Sequence, residues 1–265
     1  MDFSKIKMVV TDMDGTLLNS NHEVSDLFFE LFDRLKQKGI LFAAASGRQY
    51  DSIIDKLQPI KDDIIVIAEN GGFAKHRDVE LVATLLPDEA KNRILDLLQD
   101  LVGIHPVLCG KHHAHIMTGT PEFVEKLQEY YASFTQLDDL RAYQGDIVKI
   151  AIYHFENSEK FIYPAVKHLQ GELQVKISGA HWVDISSRNA NKGFALQKVL
   201  DAHKIKPSEL MVFGDYNNDL EMLALADFSY AMENAHPNVK KAARYHTLSN
   251  DAYGVERILE ELVKV

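Results

Sequence analysis

The sequence predicts an α/β fold in which a parallel-sheet core is interrupted by an inserted α+β domain. Three observations lead there. The N-terminal part alternates short apolar runs with amphipathic helical patterns, the C-terminal part does the same, and the stretch between them mixes the two differently. Alternation of this kind implies parallel strands joined by crossover helices.

The elements follow in order. Met8-Val9-Val10 reads as a short buried strand. Ser25 to Lys38 reads as an amphipathic helix, with Leu27, Phe28, Leu31, Phe32 and Leu35 at helical spacing and Gly39 as its stop. Ile40 to Ala45 is a second strand, Asp51 to Leu57 a helix with Pro59 beyond it, and Ile64 to Ala68 a third strand. The pattern returns with a helix at Asn191 to His203, a strand at Leu210 to Phe213, a short helix at Asp219 to Ala226, a strand at Ser229 to Met232 and a last helix near Tyr253 to Val263.

The middle reads as a helix at Pro87 to Leu101, short strands near Val107 and His115, and a helix opening at Thr120-Pro121-Glu122, a cap followed by proline. A strand at Ile147 to Tyr153, a helix near Glu159 to Leu169 and strands near Val175 and Val183 complete it. The expected organisation is a core of residues 1–82 and 186–265 with an insertion at 83–185.

Composition narrows the function. The chain has 265 residues, 46% hydrophobic and 26% charged, as expected of a globular protein. A net charge of -10 argues against a nucleic-acid partner, which needs clustered Lys and Arg. No segment reads as a signal peptide or a membrane span, and the single cysteine, Cys109, excludes an internal disulfide. The expectation is a cytoplasmic protein without a membrane partner.

The residues that carry chemistry stand after strands. Asp12-Met13-Asp14-Gly15-Thr16 follows the first. Two carboxylates one residue apart repel each other unless a cation is near, and a hard divalent ion with oxygen ligands meets that need. Ser46-Gly47 follows the second strand, where a hydroxyl and backbone N–H groups suit a phosphate. Lys192 opens a helix against its macrodipole, so a bound anion would explain it. Gly214-Asp215-Tyr216-Asn217-Asn218-Asp219 follows another apolar strand. Each segment alone is also a plain solvated or capping turn. Together they place acids, a hydroxyl and a lysine at the carboxyl ends of one sheet, where ligands bind in such folds. His112, His113 and His115 read as a half-exposed strand rather than a metal site, and Tyr153 and Trp182 as packing.

These segments, in this order, resemble the four motifs of the haloacid dehalogenase superfamily. Ala68-Glu69-Asn70-Gly71-Gly72 and Trp182-Val183-Asp184-Ile185 are similar to its Cof-type branch, and within that branch to bacterial sugar phosphatases. The resemblance implies a Rossmann-like parallel-sheet core with a type IIB α/β cap that governs substrate choice. It implies a magnesium-dependent phosphatase acting on small phosphorylated metabolites, sugar phosphates above all. Asp12 would be the nucleophile, Asp14 the general acid–base, and Lys192 a catalytic cation that also meets the phosphate. Ser46, Gly47 and Asn218 would bind phosphate. Asp12, the main-chain carbonyl of Asp14 and Asp215 would hold magnesium, with Asp219 orienting water bound to it, and Arg188 would be a substrate contact. A sugar phosphomutase or a phosphosugar-binding protein are the competing readings. A receiver-type signalling domain fits less well, because its phosphoacceptor stands on a later strand.

Overall fold

The computed structural model describes residues 2–119, 121–131 and 133–264. The chain begins with β1 (Met8–Asp12), α1 (Asp26–Gln37), β2 (Leu41–Ala45), α2 (Tyr50–Lys56), β3 (Ile65–Ala68), β4 (Phe73–His76) and β5 (Val79–Ala83). It continues with α3 (Asp88–Leu98), β6 (Ile104–Cys109), β7 (Ala114–Met117), α4 (Pro121–Leu127), β8 (Phe134–Leu137), β9 (Lys149–His154), α5 (Ser158–Phe161), α6 (Tyr163–Val166), β10 (Leu173–Ile177) and β11 (Trp182–Ser187). The last part holds α7 (Lys192–His203), β12 (Leu210–Gly214), α8 (Leu220–Leu223), β13 (Phe228–Ala231), α9 (Pro237–Ala242), β14 (Tyr245–His246) and α10 (Gly254–Leu262).

Two compact units result. One comprises Met1–Ser46, Ile53–Val82 and Asn191–Val265; the other comprises Gly47–Ser52 and Ala83–Ala190. The first is built on a sheet of order β14-β13-β12-β1-β2-β3-β4-β5. β1 pairs in parallel with β12 on one side and β2 on the other. A strand enclosed in this way is covered on both faces; all five residues of β1, the apolar Met8, Val9 and Val10 and then Thr11 and Asp12, are buried. The chain winds outward from β1 to β2 and β3, then returns on β1's other side as β12, β13 and β14. β1 therefore ends at a point where the winding reverses, the place where such sheets bind ligands.

α1 covers the sheet with Phe28, Leu31, Phe32 and Leu35, and the Phe28 ring lies 5.1 Å from that of Phe42 on β2. Ser25 starts this helix by accepting the Phe28 N–H at 3.1 Å. The sheet is not parallel throughout: β4 runs antiparallel to β3. Its short sequence after Gly71-Gly72 has no apolar run of its own, and pairing with β3 makes it a strand.

The second unit is a sheet of order β10-β11-β9-β6-β7-β8. Leu108, Ile150, Ile152, Val183 and Ile185 on one face pack with Ile94, Leu95 and Leu98 of α3 and with Ile162 and Val166. Tyr153 and Trp182 pack edge to face at 4.8 Å. The helix expected near Glu159 to Leu169 breaks into α5, α6 and a 3₁₀ turn at Lys167–Leu169. Pro164 lacks the N–H that a continuous helix needs there. α3 stops at Leu98, short of the expected Leu101. Thr120, the expected cap of α4, lies outside the described residues. Among the described residues no helix is long and apolar enough to cross a membrane.

Candidate active site

Strand register brings the motifs together. Asp12 closes β1 beside Ala45 of β2, so Ser46 follows next to it. Thr11 pairs with Phe213 of β12, and Gly214-Asp215 continues on that side. Lys192 comes from the first turn of α7, which Asn191 caps by accepting the Phe194 N–H at 2.8 Å. Asp12, Ser46, Lys192 and Asp219 are all buried.

Lys192 is the hub. Its ammonium donates to Asp12 Oδ1 at 2.5 Å and to Asp219 Oδ1 at 2.7 Å, and the lysine side chain is fully buried. Asp219 Oδ2 accepts the backbone N–H groups of Asp215 at 2.9 Å and Tyr216 at 3.1 Å. Both oxygens of Asp219 are thus engaged inside the protein. Asp215 receives the Thr16 hydroxyl on Oδ1 at 3.2 Å. Asp12, Asp215 and Asp219 each present a carboxylate oxygen, and these lie within 4.8 Å of one another.

The electrostatics follow. Burial alone would lower the Lys192 ammonium's pKa, but the Asp12 and Asp219 carboxylates outweigh it and hold the group above an ordinary lysine. Burial pushes Asp12 well above the usual carboxylate range; Lys192 opposes this, and Asp219 and Asp215 add to it. Asp215 is pushed up to about 6 by burial and by Asp219, with Lys192 working the other way. One ammonium against three clustered carboxylates leaves the site deficient in positive charge. The donors are all hard oxygens, which suit magnesium, calcium or manganese. The cluster therefore fits a divalent cation.

Two glycines make the close approach possible. Gly15 has φ +77, and a Cβ there would overlap Asp215 Oδ2. Gly71, at φ +90, has the Asn191 carbonyl oxygen where a Cβ would stand, so the turn after β3 can press against the start of α7.

The remaining candidates fall differently. Asp14 stands one turn beyond Asp12, with a side chain 42% exposed and His22 Nδ1 3.4 Å from it. Asn218 donates to the Asn70 side chain at 3.0 Å, so Asn70 joins the site although the sequence reading gave it no task. Its signal was the Asn-Gly-Gly run after β3, where Asn70 takes φ 53. Gly47 turns its carbonyl to the Lys149 ammonium at 3.2 Å. The Arg188 carbonyl accepts from Gln174. His113 is held by Ser133 and Thr135 at 3.0 and 2.7 Å, and the sole metal-type cluster among the described residues is the one at Asp12.

Comparison with known proteins gives this arrangement a family. The family model described as haloacid dehalogenase-like hydrolase matches residues 9–259. The chain is a haloacid dehalogenase-like hydrolase. It is similar to the Escherichia coli 5-amino-6-(5-phospho-D-ribitylamino)uracil phosphatase YbjI, 28% identical over 98% of this chain and 97% of that protein. The Bacillus subtilis phosphatase of the same description, YwtE, is 28% identical over 97% of this hydrolase and 98% of its own length. The crystal structure of SMU.1108c from Streptococcus mutans superposes with a TM-score of 0.88 at 27% identity, covering 98% of this hydrolase and all, 100%, of that chain. The expected family and fold both hold, and the hydrolase is a phosphatase of phosphoric monoesters.

Proposed function

We propose that this hydrolase is a magnesium-dependent phosphatase of small phosphorylated metabolites, sugar or sugar-alcohol phosphates in particular, working through an aspartyl-phosphate on Asp12. The observation that carries the reading is the buried Lys192 ammonium shared between Asp12 and Asp219 beside Asp215. The two curated relatives act, by their names, on a phosphorylated ribityl compound, which supports a polyhydroxylated substrate.

The residues divide the work. The Asp12 carboxylate attacks phosphorus in line, and the ester P–O bond breaks as the Asp12–phosphorus bond forms. Asp14, half in solvent, gives its proton to the departing oxygen. Asp14 then takes a proton from water, whose oxygen attacks phosphorus and releases Asp12. Lys192 favours the ionised form of Asp12 against the effect of burial and offsets charge on the phosphoryl oxygens. The Ser46 hydroxyl, the Gly47 amide and the Asn218 amide hold those oxygens, Asn218 being oriented by Asn70. Asp12, Asp215 and the Asp14 carbonyl would hold magnesium, which when bound supplies positive charge to the phosphoryl group and the nucleophile. Asp219 stands behind them, since its oxygens already hold Lys192 and two backbone amides. The inserted unit, as the cap, selects the substrate.

Phosphate release across sugar phosphates, sugar-alcohol phosphates, nucleotides and cofactor phosphates tests the reading. Metal-dependent release concentrated on the first two classes is expected. A preference for nucleotides would overturn the substrate class. A requirement for a bisphosphate activator would point to a mutase.

A further inference from the structure

The loop after β1 is held from outside by two asparagines that belong to none of the motifs. Asn234 lies between β13 and α9, and Asn250 opens the 3₁₀ turn Asn250–Ala252 before α10. Asn234 Nδ2 donates to the Gly15 carbonyl at 2.8 Å. The Asn250 backbone N–H donates to Asn234 Oδ1 at 3.2 Å, and Asn250 Nδ2 donates to the Leu18 carbonyl at 2.9 Å. The Asn234 amide thus faces a donor with its oxygen and an acceptor with its nitrogen. Flipping it would set donor against donor and acceptor against acceptor, so its orientation is fixed. One residue further, Asp251 accepts the Ser20 N–H at 2.7 Å and the Ser20 hydroxyl at 2.6 Å.

The geometry matters because of which peptide is gripped. The peptide joining Gly15 to Thr16 gives its N–H to the Met13 carbonyl at 3.3 Å and its carbonyl to Asn234. It is held at both ends. On one side of it stands Asp14; on the other, Thr16, whose hydroxyl reaches Asp215. Gly15 between them is the most flexible residue type, here in the left-handed region at φ +77. Left to itself, that residue would let Asp14 and its carbonyl swing. Catalytic groups must be held to roughly 0.5 Å to act, and a loop attains this only through supporting bonds.

We infer that Asn234 and Asn250 are positioning residues that latch the Asp14–Leu18 turn, and so set where Asp14 and Thr16 stand toward the metal and the leaving group. The inference rests on the function proposed above for Asp14. The effect of the two asparagines passes through the turn they hold.

Asn234→Ala and Asn250→Ala test it, with Thr247→Val as a comparison. Thr247 bonds the Gly254 carbonyl at 2.6 Å in the same C-terminal segment and, among the described residues, makes no hydrogen bond to the loop, so its loss loosens the segment without opening the latch. Hydrogen exchange in the metal-free protein is read over residues 13–21, and magnesium binding is read by calorimetry. The two asparagine variants should exchange several-fold faster in that peptide and bind magnesium about tenfold more weakly, the scale of one lost hydrogen bond. Thr247→Val should change neither. Asn234 is exposed and Asn250 half-exposed, so both variants should fold. Exchange and magnesium binding that match Thr247→Val would overturn the latch. A wild-type protein that binds no magnesium would instead sink the proposed function, and the exchange comparison would still decide the latch.

Discussion

Lys192 donates to Asp12 at 2.5 Å although 180 residues of chain separate them. The contact joins the start of α7 to the end of β1, and it is buried on both sides. A buried pair of this kind is strongly destabilised when one member is removed, by about 3–5 kcal/mol, because the other charge is left uncompensated. Lys192→Met should therefore lower the melting temperature of the metal-free protein, and magnesium should restore part of it. Turnover should fall by about 10²–10³-fold, as when one oriented stabilising donor is lost. Calorimetry with and without magnesium, beside steady-state kinetics, reads both. Unchanged turnover would remove Lys192 from the mechanism.

Asp12 and Asp14 are one residue apart, yet one is buried and the other 42% exposed. Asp12→Asn should abolish turnover of every substrate, since an amide is a poor nucleophile. Asp14→Asn should discriminate by leaving group. A sugar alkoxide needs a proton and a nitrophenolate hardly does, so the first step should slow by about 10²–10⁴-fold for the sugar ester alone. The second step also needs Asp14. Stopped-flow absorbance with nitrophenyl phosphate should show a burst of phenolate followed by slow turnover. Equal losses for both esters without a burst would assign the acid–base role elsewhere.

The fold was legible in the sequence where apolar runs are long and local. β2, β3 and β12 fall within a residue of their expected bounds, because strands buried on both faces read as apolar runs, whereas β1 continues two residues past its expected end through the polar Thr11 and Asp12. β4, β5, β8 and β14 escaped, being short strands that exist through pairing with a neighbour. The site was legible for a related reason: each motif stands immediately after a strand, and parallel pairing collects strand ends. What the sequence does not carry is the partner of each side chain. Nothing in the order of residues says that Asn70 meets Asn218, or that both oxygens of Asp219 are taken.

Magnesium binding should depend on pH through Asp215, whose pKa is lifted from 3.8 to about 6 by burial, with Asp219 adding to it. For a carboxyl raised in the fold, the protonated form is the favoured one. The stability it contributes is complete below its unfolded pKa and is lost as pH rises through about 6. Magnesium must displace that proton in acid. Affinity should therefore fall progressively as pH drops through about 6. Calorimetry in buffers of different ionisation enthalpy should find more proton release at pH 5.5 than at pH 8. Affinity that is flat between those conditions would contradict the assignment of Asp215 as a ligand.

Glu256 offers a test away from the site. It is buried on α10, accepts the Ser25 hydroxyl at 2.6 Å, and has its pKa raised by burial despite that bond. The sign is again that of a raised carboxyl: its contribution is present in acid and lost as pH rises through the folded pKa. Glu256→Gln keeps an acceptor for Ser25 and removes the buried charge. It should raise the melting temperature at pH 8, with about 2–4 °C for each kcal/mol regained in a protein of this size. The gain should vanish near pH 4. Scanning calorimetry at both pH values checks it, and a loss at pH 8 would mean that the carboxylate is stabilised as it stands.

The order in which the first unit is assembled along the chain has a consequence during synthesis. β1 leaves the ribosome early, but β12, its neighbour on one side, ends at Gly214. At about 5–20 residues per second, roughly 10–40 s pass between them. Through that interval the nascent β1 has an open flank and Asp12 lacks its lysine. The strands β6 to β11 all lie between Ile104 and Ser187, so their sheet is complete before β12 exists. The inserted unit can thus finish folding while the catalytic sheet is still half built. An exposed, apolar strand edge held open for that long is a natural ligand for a holdase chaperone.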